Sequence, residues 1–206
     1  MRNQRIILLV FLVSLIGLLF VSLLKSSFTT LDANVNSWAV SIQTSSFTPI
    51  AETIDFIFDT RALLTITLLA AACLFYKNYR KNSVLLVGGM SGCTVIVTMI
   101  KMAVHSARPL NELVSKSGFS FPSGHTSGSV VFCGLLTYFA WQHWKPLKAK
   151  ISSVLSVIVT SSVGFDRIYL NVHWFSDVLG GYLLGIFWLT FSILTFQYLE
   201  QTRKSS

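Results

Sequence analysis

The chain has 206 residues, 52% of them hydrophobic and 12% charged, with a mean hydropathy of +0.64. Soluble domains carry about 25% charged residues, so this composition argues against a soluble globular fold and excludes intrinsic disorder. The net charge of +8, from 16 Lys and Arg against 8 Asp and Glu, fits either nucleic-acid binding or the basic cytoplasmic loops of a membrane protein.

Six apolar runs follow along the chain, at residues 6–24, 61–76, 84–100, 124–141, 151–165 and 175–198. A membrane-spanning helix needs about 20 largely apolar residues. The sequence therefore predicts an all-α polytopic membrane protein, with six transmembrane helices in one bundle. The loops between runs are short, so residues 1–206 form a single membrane-embedded domain. The first run follows a basic start like that of a signal peptide. It exceeds the usual h-region of about 7–15 residues, and no A-x-A-like site follows, so it is read as an uncleaved helix. Between the first two runs, Leu31, Val35, Trp38 and Ile42 recur at helical spacing. They predict a short interfacial helix over 31–43, with an ordered loop as the alternative.

With the N-terminus inside, the inside segments are 1–5, 77–83, 142–150 and 198–206. They carry Arg2, Arg5, Lys77, Arg80, Lys81, Lys145, Lys148, Lys150, Arg203 and Lys204. The outside carries Lys25, Arg61, Lys101, Arg108, Lys116 and Arg167, and only Glu200 among the acids is inside. The positive-inside rule then predicts a multi-pass cell-membrane protein with both termini cytoplasmic. Topology accounts for much of the basic excess, so no nucleic-acid partner is expected. Cys73, Cys93 and Cys133 lie in apolar runs without metal-site spacing, and read as small buried hydrophobes.

The remaining polar residues gather at three outer boundaries: 101–109 (KMAVHSARP), 121–125 (FPSGH) and 166–177 (DRIYLNVHWFSD). Ionisable groups at such places are costly and usually functional. Lys101, Arg108 and Arg167 are cations with little acid nearby, an arrangement that an anion would relieve, and guanidinium forks suit phosphate oxygens. Ser123 and Gly124 open the fourth run, where unpaired backbone N–H groups favour an anion. His173 and Asp177 stand four apart, so they share a helix face. A carboxylate on one imidazole nitrogen frees the other as a nucleophile. His125, beside the cradle, is then a candidate general acid.

These segments resemble the type 2 phosphatidic acid phosphatase (PAP2) family of membrane lipid phosphatases, related to vanadium haloperoxidases. That family carries K-x6-RP, PSGH and SR-x5-H-x3-D. Here Lys101 precedes Arg108-Pro109 by six intervening residues, Pro122-Ser123-Gly124-His125 follows, and Arg167, His173 and Asp177 keep the third spacing. The resemblance implies that Lys101, Arg108, Ser123, Gly124 and Arg167 bind the substrate phosphate. It also implies that His173 forms a phosphohistidine, Asp177 orients it, and His125 protonates the leaving group and activates water. No metal and no cofactor are implied. The expected partners are membrane lipids and a lipid phosphate: phosphatidic acid, phosphatidylglycerol phosphate or undecaprenyl diphosphate, hydrolysed at the outer leaflet. The pattern leaves the oligomeric state open.

Asp166 stands where the family usually has Ser, and Phe175 where it often has Pro. A carboxylate facing phosphate would repel it unless turned toward Arg167 or Lys101, and this motivates an alternative reading as a catalytically weak or inactive lipid-phosphate-binding relative. A pair of metal ligands at His173 and Asp177 lacks a further cluster to complete it. His105 occupies a variable position and reads as surface. His143, Trp141 and Trp144 read as an interfacial belt, and Trp174 as an interfacial anchor. The Gly88/Gly92, Gly124/Gly128 and Gly181/Gly185 pairs read as close helix contacts. An anion transporter would place its ionisable residues near the bilayer midplane, and here they sit at the ends of the runs.

Overall fold

The computed structural model describes residues 2–205, with side chains from 4 to 203. Met1 and the side chains of Arg2 and Lys204, used above for the topology, lie outside the described residues. Eight α-helices make up the described chain: α1 (Arg2–Leu23), α2 (Thr29–Ser41), α3 (Thr48–Phe58), α4 (Thr60–Tyr76), α5 (Arg80–Val104), α6 (Gly124–His143), α7 (Pro146–Tyr169) and α8 (Phe175–Ser205). Each apolar run falls within one long helix, save Leu24 just past the end of α1, as expected where lipid cannot satisfy backbone N–H and C=O groups.

Among the described residues, four helices are long and apolar enough to cross a membrane: α1, α5, α7 and α8. A fifth candidate is the α3–α4 pair, bent by 56°. The bend has a local cause. Asp59 is extended, at φ −55° and ψ 146°, and its side chain accepts from Arg61 N at 3.0 Å to cap α4. The prediction of six spans is thus matched in part. α6 has the length, but its first two turns hold Thr126, Ser127 and Ser129, buried inside the bundle rather than offered to lipid.

Lipid-facing positions form an apolar belt, with Ile16, Leu69, Val84 and Val157 all more than 60% exposed. The chain is a multi-pass membrane protein. Cys73 belongs to that belt and is exposed, so the expectation of burial holds for Cys93 but not for it; Cys133 is intermediate. The core joins Leu18 and Val21 of α1, Leu86 and Met90 of α5, Leu135 of α6 and Leu184 of α8. α1 packs on α8, and α6 on both α7 and α8. Gly181 and Gly185 let α8 approach α6: a Cβ at Gly181 would lie 2.8 Å from Ser123 O. Close approach of this kind drives helix association in lipid, where apolar burial adds little.

The helix expected over 31–43 is present as α2, whose protein-facing side is Asp32 and Ala39, leaving Leu31 and Trp38 exposed. α3 was not foreseen. Its marks are Pro49 in the first turn and apolar Ile50, Ile54, Ile57 and Phe58 around Asp55. A second small core of Ala51, Tyr169, Leu170 and Val172 ties α3 to the α7–α8 turn.

Candidate active site

The three motifs meet at one end of the bundle. The chain leaves α5 at His105, in the left-handed conformation at φ 52°, and crosses 106–123 before entering α6. That loop is pinned by Ser120, whose hydroxyl is 2.9 Å from Ser106 Oγ and from Ala107 O. Lys101, in the last turn of α5, donates to the carbonyls of Phe119 and Ser120. Arg108 donates to Val172 O at 2.6 Å and Gly118 O at 3.1 Å, and its Nη1 lies 3.5 Å from His173 Nε2. Burial pushes the Arg108 guanidinium below its ordinary value.

The second motif begins α6. Ser123 is its N-cap: the Oγ accepts from Thr126 Oγ1 at 3.0 Å and lies 3.4 Å from Thr126 N. Ser123 N donates to Asp177 O at 3.0 Å, so the openings of α6 and α8 are joined directly. The third motif closes the site. Arg167 is wholly buried and holds two carboxylates, Asp166 through Nη2 and Asp55 through Nη1. Asp166 has therefore turned to Arg167. His173 Nδ1 lies 3.5 Å from Asp177 Oδ2, at ion-pair distance but without an aligned hydrogen bond. Burial holds the His173 imidazole well below its ordinary 6.5, at about 3, against the opposing pull of Asp177.

Lys101, Arg108, Gly124, His125, Arg167 and His173 all line one cavity of about 330 Å3. Ser123 and Asp177 do not line it. Both are fully buried behind it. Away from the charged end, the cavity wall is apolar, formed by Leu63 and Leu64 of α4 with Met90, Cys93 and Val97 of α5. Among the described residues, no group of three or more His, Cys, Asp and Glu side chains is placed to hold a metal ion. The other histidines stand apart. His105 is exposed against the Phe119 ring, and His143 is at the opposite end, 3.2 Å from Asn82. The Trp174 indole donates to Ala107 O at 2.9 Å and ties the first motif to the third, a packing role the sequence did not mark.

Sequence reasoning missed several contributors. Asp55 contacts Arg167, Lys116 and His125. Lys25 contacts Asp177, and Asp32 accepts from Ser176 N and Oγ at 2.8 and 2.7 Å. Each lies in the first 60 positions, outside the three motifs, with no spacing pattern to mark it. Lys116 entered the sequence reading only as an outside charge, yet it lines the cavity.

The chain has relatives of known kind. It is 33% identical over 125 residues to phosphatidylglycerophosphatase B of Bacillus subtilis, covering 59% of this chain and 61% of that protein. It is 30% identical over 132 residues to an undecaprenyl-diphosphatase of Sulfolobus acidocaldarius, covering 59% and 58%. The chain thus spans about three-fifths of the length of these relatives. The crystal structure of a transmembrane PAP2 type phosphatidylglycerolphosphate phosphatase from Bacillus subtilis superposes with a TM-score of 0.79 at 24% identity, covering 95% of this chain and 96% of that one, and establishes the shared fold. The PAP2 superfamily profile matches residues 82–201, which include all three motifs and both histidines lining the cavity. The chain therefore belongs to the PAP2 superfamily.

Proposed function

We propose that this protein is an integral membrane lipid phosphatase acting through a phosphohistidine. The observation that carries the reading is the shape and chemistry of one cavity. Its charged end gathers Lys101, Arg108, Arg167, His125 and His173, and its other end is apolar between α4 and α5. A lipid phosphate has this same division.

The chemistry follows from the geometry. Lys101, Arg108, Arg167 and the Gly124 backbone bind the phosphate oxygens. His173 is neutral because it is buried, and its Nδ1 faces Asp177. Its Nε2 lone pair attacks phosphorus while the bond to the leaving oxygen breaks. His125 gives that oxygen a proton. In the second step His125 takes a proton from water, the water oxygen attacks phosphorus, and the P–N electron pair returns to His173. The cations stabilise the charge that develops, and one such donor is typically worth ~10²–10³ in rate.

The inside-positive charge distribution supports six spans, cytoplasmic termini and a cavity at the outer leaflet. The relatives' names support phosphatidylglycerol phosphate and undecaprenyl diphosphate as substrates, beside phosphatidic acid. The test is phosphate release by detergent-purified protein from these three lipids, in chelator, with and without vanadate. Release that persists in chelator and is blocked by vanadate is the expected result. Vanadate binding without release from any of the three would instead favour a non-catalytic lipid-phosphate binder.

A further inference from the structure

One buried carboxylate organises a whole wall of the cavity without lining it. Asp55, on α3, is 6% exposed. Its Oδ1 meets Arg167 Nη1 from α7, lies 2.8 Å from Lys116 Nζ of the α5–α6 loop and 3.3 Å from His125 Nε2 of α6. Its Oδ2 accepts from Lys116 Nζ at 2.9 Å. Lys116, His125 and Arg167 all line the cavity, and Asp55 stands behind them.

We infer that Asp55 is the positioning carboxylate of His125, as Asp177 is of His173. The inference rests on the phosphatase reading above. His125 Nε2 is buried and has no hydrogen-bond partner other than what Asp55 can offer at 3.3 Å. Long contacts of this kind tighten when substrate binds. With Nε2–H held by Asp55, Nδ1 is the nitrogen left for substrate. When His125 carries both protons, the Asp55 charge offsets an imidazolium set between Arg167 and Lys116. His125 Nδ1–H then donates its proton to the leaving oxygen as the P–O bond breaks, and the emptied Nδ1 accepts the proton of the attacking water. Asp55 keeps the Nε2 proton throughout and exchanges none with substrate.

This role separates proton transfer from phosphate binding. Asp55→Asn removes the charge behind His125 and leaves Arg167 and Lys116 cationic toward the cavity. The full-length variant is assayed in detergent on two probes: dioctanoyl phosphatidic acid, whose leaving alkoxide needs a proton, and p-nitrophenyl phosphate, whose leaving phenolate does not. On phosphatidic acid, kcat is expected to fall about 100-fold, the lower end for general acid–base catalysis, and by more than any rise in KM from the lost Arg167 contact. On p-nitrophenyl phosphate the first turnover is expected to survive, seen as a nitrophenolate burst, followed by slow steady state because water activation also needs His125. Asp55→Glu is expected to recover part of the lipid activity, and it carries the same two-probe comparison if Asp55→Asn does not fold. Equal first-turnover losses on the two probes, or a raised KM with kcat intact, would overturn the positioning role. A wild-type protein silent on both probes and on phosphatidylglycerol phosphate and undecaprenyl diphosphate would overturn the phosphatase reading and this role with it.

Discussion

Lys25 Nζ lies 2.6 Å from Asp177 Oδ1, a contact between residues 152 positions apart in the chain. Asp177 is fully buried, and its other oxygen accepts from Trp174 N at 2.9 Å and faces His173. Lys25, two residues beyond the end of α1, thus holds the carboxylate behind the proposed nucleophile. Removing one partner of a buried pair costs about 3–5 kcal/mol, because the other charge is stranded. Lys25→Met is expected to lower the melting temperature and reduce kcat. The double variant with Asp177→Asn should be less destabilised than the two single losses added together. Additive losses in thermal unfolding would show that the two residues are not coupled.

The two histidines should fail differently. His173→Ala removes the attacking nitrogen, so no phosphoenzyme forms, and activity should fall by ~10⁴ or more. His125→Ala leaves the attack possible on a substrate with a good leaving group but stalls hydrolysis. Rapid-quench labelling with p-nitrophenyl [³²P]phosphate should trap phosphohistidine in the His125 variant and none in the His173 variant.

Stability should depend on pH through His173. Its folded value, about 3, lies below the ordinary 6.5, so the unfolded chain binds the extra proton between them. The contribution is fully present above about pH 6.5 and is lost as pH falls toward 3. Melting temperature should decline across that window, and His173→Gln should flatten the decline. Equal slopes for both proteins would show that the histidine is not held neutral by burial.

Asp166 is expected to be a quiet departure from the family pattern. Its side chain is 1% exposed, pairs with Arg167 and does not line the charged cavity. Asp166→Ser leaves Arg167 its bond to Asp55, so kcat/KM should stay within about threefold of wild type, below about 1 kcal/mol. A tenfold or larger gain in phosphate release would mean that the carboxylate repels substrate.

Gly181 tests how helix packing sets the cradle. A Cβ there would fall 2.8 Å from Ser123 O and 2.9 Å from Thr126 Cβ, both in the opening of α6. The backbone must move, at a cost of about 1–3 kcal/mol for overpacking. Gly181→Ala should therefore raise KM and lower kcat together, since it shifts the α6 opening that carries both Gly124 and His125. Steady-state kinetics on phosphatidic acid reads both.

The legible parts of this protein were those written in local spacing. Six apolar runs became helices because backbone groups in lipid must bond within their own segment. Lys101, Arg108, Gly124, His125, Arg167 and His173 were legible because each sits at a fixed offset within a short motif, and all six reached the cavity. Ser123 and Asp177 were legible as members of the site but not as residues behind its wall. α3 was obscured because its apolar residues surround an acid and its helix breaks from α4 at Asp59.

What the linear chain determined was the helical class and the set of proposed reacting groups, since both depend on residues within a few turns of one another. Which carboxylates and cations stand behind those groups was decided only in three dimensions. Asp55 meets Arg167 across 112 positions, and Lys25 meets Asp177 across 152. Such pairs have no periodicity. They form because buried charges must find partners wherever the helix ends bring them, and that choice belongs to the packing of α1, α3, α7 and α8.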